Sequence, residues 1–309
     1  MCKLAIVIPA YKGDFLRDTL ESLANQTCKD FRVYIGDDSS PCDIASIVSE
    51  YSDKLHLTYK RFASNLGGSN LVGQWKRCID LTQGEPWINL FSDDDIMTPR
   101  CVEKFYEELS NNRKYSIYHF DVNIIDSQNK LLAECRSFPT IINSKKFFRC
   151  KAAGILDSFV VEYVFSREIY EKVGGFLYFD MAWGSDIATW IKMGEKDGIK
   201  TIKGAKINWR NSEFNITPKL NNEIVFRKFG IEVDYIEWVN MFFNSPRICL
   251  FNKYIFFRSL FHYSTIINKG QAHQIIEKAK CHNIINGFDG FCLDKGYEII
   301  QFLKKHFRQ

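Results

Sequence analysis

Three consecutive aspartates, Asp93, Asp94 and Asp95, are the residues of this chain best suited to chemistry. They follow a short apolar run, residues 86–91, which predicts a buried strand. Carboxylates that follow a parallel strand lie at the edge of an open α/β sheet where ligands bind. Adjacent acids repel one another unless a cation compensates, and their hard oxygens suit Mg²⁺ or Mn²⁺, which in turn hold phosphates. Taken alone, such a run is also typical of a solvated acidic turn.

The residues before these aspartates predict a repeated alternation of strands and helices. Strands are predicted at residues 4–8, 31–35 and 55–59, and helices at residues 15–26, 44–51 and 71–81. This order indicates an α/β fold, with a mostly parallel, doubly wound sheet and helices on both faces. Because a parallel sheet brings the carboxyl ends of its strands to one edge, Tyr11-Lys12, Asp37-Asp38 and the three aspartates should converge there. We expect a nucleotide pocket with a metal at its floor.

Composition narrows the class of protein further. The ten cysteines form no CxxC pair, which favours reduced thiols of a cytoplasmic protein over disulfides or a zinc site. The formal net charge of +4 is too small to predict a nucleic-acid partner. A bilayer-spanning helix needs about 20 consecutive apolar residues, and the sequence contains no such run. We therefore expect a cytoplasmic protein, with peripheral contact at the inner face of the membrane as a further option.

Several short motifs occur in an order that is specific to one family. They are Val7-Ile8-Pro9-Ala10-Tyr11, Gly36-Asp37-Asp38-Ser39-Ser40, Asn65-Leu66-Gly67 and Ser92-Asp93-Asp94-Asp95. In this order the chain resembles the family 2 glycosyltransferases, over residues 1 to about 210. The resemblance implies a GT-A (Rossmann-like) domain at residues 1–212, with a donor half (1–100) and an acceptor half (101–212). Residues 213–309 would form a C-terminal helical extension.

The resemblance also implies a role for individual residues. The donor nucleotide would be held by Pro9, Ala10, Tyr11, Asp37, Asp38, Asn65, Gly67 and Asp93. Within that set, Asp38 would bind the base edge and Asp37 would brace the turn, although the two could exchange roles. Asp94, with Asp95 as a second candidate, would hold Mn²⁺ or Mg²⁺. Ser92 stands where the family commonly has an acid, so the choice among the three aspartates stays open.

The catalytic base is predicted further along the chain. Gly174-Gly175-Phe176 is followed about ten residues later by Ser185-Asp186 and a helical pattern. The resemblance puts Asp186 in the position of the base, whereas its place before a helix is also typical of an N-cap. The family has an acid pair at this point, so a helper carboxylate is either missing here or supplied by Asp180. Trp183 is a candidate for stacking on a sugar, and Lys12 and Arg77 are candidates for diphosphate contacts.

The remaining segments carry less information. Residues 115–122 and 131–138 are predicted as paired strands around a turn at 123–130, and residues 147–155 as a helix. Four helices are predicted in the C-terminal region, at residues 222–243, 247–268, 271–279 and 295–307. They either pack on the catalytic domain or present a basic, aromatic surface to a membrane.

These observations predict an inverting, metal-dependent glycosyltransferase. Its donor would be a nucleoside-diphosphate sugar, with UDP favoured, and its acceptor a glycan or lipid-linked hydroxyl in polysaccharide synthesis of the capsule or O-antigen type. A non-catalytic module that binds sugar nucleotides or glycans is the alternative from another class. A sugar nucleotidyltransferase is less well matched, because residues 10–13 lack a Gly-rich loop with Arg and Lys after the first strand.

Overall fold

The computed structural model describes residues 3–111, 113–212 and 221–306. The chain divides into two compact units. The sheet unit comprises Met1–Tyr178 with Ser185–Ser212, and the helical unit comprises Phe179–Gly184 with Glu213–Gln309. The boundary predicted after residue 212 falls on residues 213–220, which lie outside the described residues.

A mixed sheet with helices packed on it makes up the sheet unit. The strands are β1 (Leu4–Ala10), β2 (Phe31–Asp37), β3 (Leu57–Arg61), β4 (Trp87–Leu90), β5 (Ile96–Met97), β6 (Ile117–Ile125), β7 (Leu131–Glu134), β8 (Ile141–Ile142), β9 (Tyr163–Ser166) and β10 (Ile199–Arg210). The helices are α1 (Leu16–Ala24), α2 (Ile44–Ser49), α3 (Leu71–Ile79), α4 (Cys101–Asn111), α5 (Ser144–Ala152), α6 (Arg167–Val173) and α7 (Ser185–Met193).

The sheet has a parallel half and a mixed half. Its strand order is β3-β2-β1-β4-β9-β6-β10-β5, with β7 beside β6 and β8 beside β10. The first four strands are parallel to one another, as the strand–helix alternation predicted. β9 runs antiparallel to both β4 and β6, while β6 and β10 are parallel. The α/β class is therefore confirmed, and antiparallel pairing is confined to the strands beyond β4.

A continuous apolar run explains why β1 is buried between its neighbours in the parallel half of the sheet. Every residue of β1 except Pro9 is buried, because helices cover both faces of a parallel sheet. On one face, Leu4, Ile6 and Ile8 belong to a large apolar core that continues into α1, α2 and α4. This rigid layer fixes the positions of the loops that follow β1, β2 and β4.

Some predicted boundaries were wrong. Residues 123–125 lie in β6 and not in a turn, because Asn123 pairs with Asn208 of β10 and with Glu134 of β7. The last helix begins at Gly287 and not at residue 295. Glycine disfavours a helix interior, so the sequence pattern did not predict the first two turns of this helix. Tertiary packing nevertheless keeps these turns helical.

Four helices form most of the helical unit: α8 (Asn222–Phe243), α9 (Pro246–Tyr263), α10 (Lys269–Cys281) and α11 (Gly287–His306). A 3-10 turn, Asp180–Ala182, belongs to the same unit. The Asn221 side chain caps α8 by accepting from the backbone N–H of Ile224, and Asn268 caps α10 within a capping box. The helices enclose an apolar core of their own. None of the described helices has the length and apolar character that crossing a bilayer requires.

Candidate active site

The carboxyl ends of β1, β2 and β4 lie side by side at one edge of the sheet. β1 is the middle strand, with Ala10 in register with Asp37 of β2 and Val7 in register with Leu90 of β4. The backbone N–H of Asp38 donates to the carbonyl of Ala10 at 2.9 Å, which joins the first two loops. The convergence expected from a parallel sheet is therefore present. We call this edge, with the loops that follow these three strands, the donor edge.

Asp93 ties the loop after β4 to the loop after β1. Its Oδ2 accepts hydrogen bonds from the backbone N–H groups of Tyr11 and Lys12, both at 2.7 Å. Pro9 and Ala10 lie directly before these donors, and Ala10 is completely buried. The Tyr11 side chain is 45% exposed, so its ring is available to stack on a planar ligand. Asp93 therefore fixes the backbone of the loop after β1, while the Tyr11 side chain faces outward.

The three aspartates differ in what holds them. Asp94 Oδ2 accepts from the Lys12 ammonium at 2.5 Å. Asp95 uses both oxygens within the protein, because Ser92 Oγ donates to Oδ2 at 2.5 Å and the Arg210 backbone N–H donates to Oδ1 at 2.7 Å. Of these two candidate metal ligands, Asp94 is the better placed, since its side chain pairs with Lys12 among the described residues and lysine side chains reorient easily.

The electrostatics of this cluster fit a divalent cation. Burial, and then the charge of Asp94, raise the pKa of Asp93 to about 6 and that of Asp95 to about 8. Burial lowers the pKa of Lys12, but the charges of Asp93 and Asp94 outweigh it and leave that pKa above its ordinary value. Asp93 and Asp95 therefore hold their protons more tightly than usual, and a bound cation would favour their ionised form. Their oxygen donors are those that Mg²⁺ and Mn²⁺ prefer.

Asp37 and Asp38 have separate structural roles. Asp37 is fully buried and accepts from Ser40 N at 2.8 Å, and from Tyr59 Oη and Arg61 Nη1 at 2.7 Å each. Its oxygens brace the turn, and its contact with the nucleotide stays a prediction. The alternative role considered for it, as the residue that supports the turn, agrees with this geometry.

Asp38 holds the Gly-rich loop before α3. Its oxygens accept from the backbone N–H groups of Leu66 and Gly67 at 2.7 and 2.8 Å. A Cβ on Gly67 would lie 2.7 Å from Asp38 Oδ2, which explains the glycine. Asn65 turns back to accept from Gly68 N at 2.8 Å. The structure thus brings the predicted residues Asp38, Asn65 and Gly67 together in one loop cluster.

Arg77 does not have the role that its charge indicated. Its guanidinium donates to Asp38 Oδ1 and to the Ser64 carbonyl, and it stacks on the Phe62 ring at 3.9 Å. Arg77 therefore holds Asp38 in place, and we withdraw it as a diphosphate contact. Lys12 lies against Asp94 and remains a cation at the floor of the donor edge.

Arg210 was missed by the sequence analysis. It ends β10 and is completely buried, and its Nε donates to the Asp94 carbonyl at 2.7 Å while Nη2 pairs with Asp18 at 3.1 Å. Its ring-face contact with Phe15 is at 4.2 Å. Arg210 thereby locks the backbone of the aspartate loop. The sequence indicates only that Arg210 ends a strand pattern, and that position does not distinguish it from other arginines.

Asp186 lies in the first turn of α7, where Ser185 is the first helical residue. It is therefore inside the helix and is not the N-cap, which corrects that alternative. The side chain is half-buried, and burial raises its pKa. Ser185 is fully buried, and its carbonyl accepts from Thr189 Oγ1 at 2.6 Å. A half-buried carboxylate with a raised pKa is a suitable general base.

Asp180 and Trp183 belong to the helical unit. Arg227 binds both Asp180 oxygens, at 2.6 and 2.7 Å, so this carboxylate is committed to an ion pair and is corrected as a helper for Asp186. The Lys228 ammonium lies over the Trp183 ring at 4.3 Å. That cation–π contact supports a packing role for Trp183 rather than sugar stacking.

Comparisons with known proteins identify relatives of this chain. A relative from Methanocaldococcus jannaschii, named an uncharacterized glycosyltransferase, is 27% identical over 42% of this chain and 45% of its own length. The poly(ribitol-phosphate) beta-N-acetylglucosaminyltransferase TarS of Staphylococcus aureus is 32% identical over 31% of this chain and 16% of its own. The chain thus spans less than half the length of both curated relatives.

Solved structures show the same fold. The crystal structure of S. aureus TarS residues 1–349 with UDP-GlcNAc has a TM-score of 0.58 and 13% identity, and the match covers 98% of this chain and 91% of that one. A structure of the same protein with UDP has a TM-score of 0.57 over the same coverage. The fold is therefore the GT-A fold of TarS. A model of the family described as Glycosyl transferase family 2 matches residues 5–174, just over half of the chain, and the protein therefore belongs to glycosyl transferase family 2.

Proposed function

We propose that this protein is an inverting glycosyltransferase that moves a sugar from a nucleoside-diphosphate sugar to a hydroxyl group. The observation that carries the proposal is the donor edge, where Asp38, Asp93 and Asp94 are pinned by backbone N–H groups and by Lys12. Membership of the family and the UDP-GlcNAc and UDP complexes of TarS support the choice of a sugar nucleotide, with UDP favoured.

The donor would bind with its base near Asp38 and Tyr11. Tyr11 offers an exposed ring, and Asp38 holds the loop of Asn65 and Gly67 beside it. Asp94, with Asp93 beside it, would hold Mn²⁺ or Mg²⁺. Such an ion supplies positive charge that neutralises the departing diphosphate. Lys12 would then add a second positive charge on the diphosphate side of the floor.

Asp186 would act as the general base. As the acceptor oxygen forms its bond to the anomeric carbon, a carboxylate oxygen of Asp186 takes the hydroxyl proton, and the bond between the sugar and the diphosphate breaks. One displacement inverts the configuration at that carbon. We assign the acceptor to the glycans or lipid-linked sugars of polysaccharide synthesis, of the capsule or O-antigen type. The polymer acceptor in the name of TarS supports that class.

A thermal-shift panel tests the donor half of this proposal. UDP, GDP, CDP and dTDP are each added with and without Mn²⁺. A ligand that binds the native state alone raises Tm by mass action, so we expect UDP with Mn²⁺ to give the largest rise. Equal shifts with and without metal would contradict the metal assignment. No shift with any diphosphate, together with no transfer, would favour the non-catalytic binding module.

The exposed face of α9 supports a membrane-associated acceptor. Leu250, Tyr254 and Phe261 are 71%, 60% and 53% exposed, and with Arg247 and Arg258 they fall within an arc of about 80° on the helix. The 18 residues of α9 contain no Asp or Glu. A convex stripe of aromatic, aliphatic and basic side chains suits the interface of an anionic bilayer. We propose that α9 lies on such a surface.

Vesicle sedimentation tests the membrane contact. We expect binding to vesicles that contain anionic phosphatidylglycerol and little binding to pure phosphatidylcholine, with the difference reduced by salt. The double variant Leu250→Ser/Tyr254→Ser should lose most of that binding. Leu131→Ser/Leu132→Ser, which changes two half-exposed leucines of β7, is the matched control and should not. Equal binding by both variants would contradict the assignment to α9.

A further inference from the structure

Glu162 is a fully buried carboxyl that the sequence analysis did not single out. It lies directly before β9 and has no exposed surface. The backbone N–H of Phe159 donates to its Oε1 at 2.7 Å, and its Oε2 has no hydrogen-bond partner among the described residues. An ionised carboxylate with an unpaired buried oxygen is strongly disfavoured, whereas the protonated acid is neutral. The position therefore favours a carboxyl group that keeps its proton.

Ring stacking joins the residue after Glu162 to α7, the helix that carries Asp186. The ring of Tyr163, the next residue, stacks on Trp190 of α7 at 4.5 Å between centroids, with 23° between the ring planes. Asp186 lies four residues before Trp190, one turn earlier on the same helix face. The first residue of β9 thus packs against α7 one turn from Asp186, and the charge of Asp186 raises the pKa of Glu162, which precedes that strand.

The groups that surround Glu162 leave it in a nearly neutral environment. Burial first, with a contribution from Asp186, raises its pKa to about 8, while Lys151 of α5 lowers it. The Cys135 thiol, after β7, has its pKa raised to about 12 by burial. The Tyr163 hydroxyl, which is hydrogen-bonded to Ser158 Oγ at 2.7 Å, has its pKa raised by burial as well. His119 of β6, which packs on Tyr163, has its pKa lowered to about 3 by burial. Near pH 7 these three groups are uncharged, and among the described residues the positive charge of Lys151 acts on both carboxyls.

We propose that Glu162 is the second carboxyl of the base site, a protonated positioning residue that determines the electrostatic environment of Asp186. The inference rests on the proposed role of Asp186 as the base. Ser185 stands where the resembled family has the partner acid. In this chain we assign that place to Glu162, which lies directly before β9. While Glu162 is neutral, Asp186 is the one charged carboxylate of the pair. When Glu162 ionises, like charge makes Asp186 hold a proton more tightly.

Infrared titration tests this pair without any substrate. The carbonyl stretch of protonated carboxyls is followed against pH in the wild type, Glu162→Gln, Asp186→Asn and the double variant. We expect the difference between the wild type and Glu162→Gln to show one protonated acid with a midpoint near pH 8. The same difference measured in the Asp186→Asn background should titrate at a lower pH, because the neighbouring negative charge is gone. An unchanged midpoint, or no difference band, would overturn the proposal.

Glu85→Gln is the matched control for that titration. Glu85 is another buried glutamate of the sheet unit, and its Oε1 accepts from Tyr34 Oη at 2.6 Å. Its replacement should leave the band assigned to Glu162 and its dependence on Asp186 unchanged. Loss of that band in Glu85→Gln would reassign the acid and overturn the proposal.

Catalysis supplies the second readout. UDP release from UDP-N-acetylglucosamine, with water as acceptor, is measured from about pH 6 to 10. Glu162→Gln keeps a neutral group at this position at every pH, so the inflection near pH 8 should disappear from its pH profile. If Asp186→Asn is inactive and Glu162→Gln keeps the wild-type profile, the role of Glu162 fails and the base stands. If Asp186→Asn releases UDP at the wild-type rate, the base assignment itself fails, and the role of Glu162 fails with it.

Discussion

The donor edge and the base site hold their carboxylates in different ways. At the donor edge, Asp38, Asp93 and Asp95 accept hydrogen bonds from backbone N–H groups of other segments. Asp186 instead interacts with backbone N–H groups of its own helical turn, and a buried acid with an unpaired oxygen lies nearby. A nucleotide site gains from groups that are already fixed, because less ordering is lost on binding. A base must change its protonation state, so it is better held with fewer strong hydrogen bonds.

The largest expected effect comes from the base site. Asp186→Asn removes the proton acceptor and should reduce transfer by about 10²- to 10⁴-fold, while donor binding stays intact because the donor edge is unchanged. Steady-state rates and UDP affinity measured on the same preparation check this. Asp180→Asn is the control, since that carboxylate pairs with Arg227 and should be dispensable for transfer. Transfer by Asp186→Asn at the wild-type rate would contradict the assignment of Asp186 as the general base.

Asp94→Asn should produce the next largest effect, this time at the donor edge. Loss of a charged oxygen ligand should weaken Mn²⁺-dependent UDP binding by more than about 100-fold, measured by calorimetry. Asp37→Asn provides the contrast, because Asp37 braces the turn through Ser40 and Arg61. That variant should lower Tm but keep its response to Mn²⁺. The same metal dependence in both variants would show that Asp94 is not a ligand.

The stability of the folded protein should depend on pH in opposite ways through His119, which packs on Tyr163, and through the acids of the donor edge. Burial lowers the pKa of His119 from 6.5 to about 3, so the unfolded chain binds a proton first as the pH falls. Its contribution is therefore complete above pH 6.5 and is lost as the pH falls toward 3, on the order of 5 kcal/mol. His119→Phe, which keeps the stacking on Phe138, should show a smaller acid loss in urea unfolding. Identical acid profiles would contradict the assignment.

The acids of the donor edge should act in the opposite direction. The pKa of Asp95 is raised to about 8 by burial and by Asp94, so the unfolded chain releases its proton earlier as the pH rises from 3.8. Stability of the metal-free protein should therefore fall across that window, and added Mn²⁺ should reverse the fall. Urea unfolding with and without the ion provides the measurement. A fall in stability that Mn²⁺ does not change would count against the metal site.

The smallest effect should come from the Gly-rich loop. An added Cβ in Gly67→Ala would lie 2.7 Å from Asp38 Oδ2, so the loop or the carboxylate must shift. We expect UDP affinity to fall about tenfold, which corresponds to about 1.4 kcal/mol. Gly287→Ala is the control, because nothing lies within 4 Å of its added Cβ. Unchanged UDP affinity in Gly67→Ala would contradict the placement of Asp38 beside the uracil of the bound nucleotide.

Much of the architecture was predictable because it depends on local patterns. The apolar runs of β1 and β2 fixed the parallel strands, and helical periodicity predicted α8 with its observed bounds, Asn222–Phe243. The strand ends then brought Tyr11 and the aspartates together by topology alone. Boundaries failed where a local preference was overruled, as at Gly287, where helix α11 begins despite its glycines.

The sequence by itself determined the residue types at the donor edge and the family to which they belong. The tertiary structure alone decided which acids are paired within the fold: at the donor edge Asp37 with Arg61 and Asp95 with the backbone of Arg210, and in the helical unit Asp180 with Arg227. Arg210 reaches the aspartate loop from 115 residues further along the chain. The physical reason is that hydrogen-bond partners and desolvation are set by neighbours in space. A carboxylate that is free to act and one that braces a turn therefore look the same in the sequence.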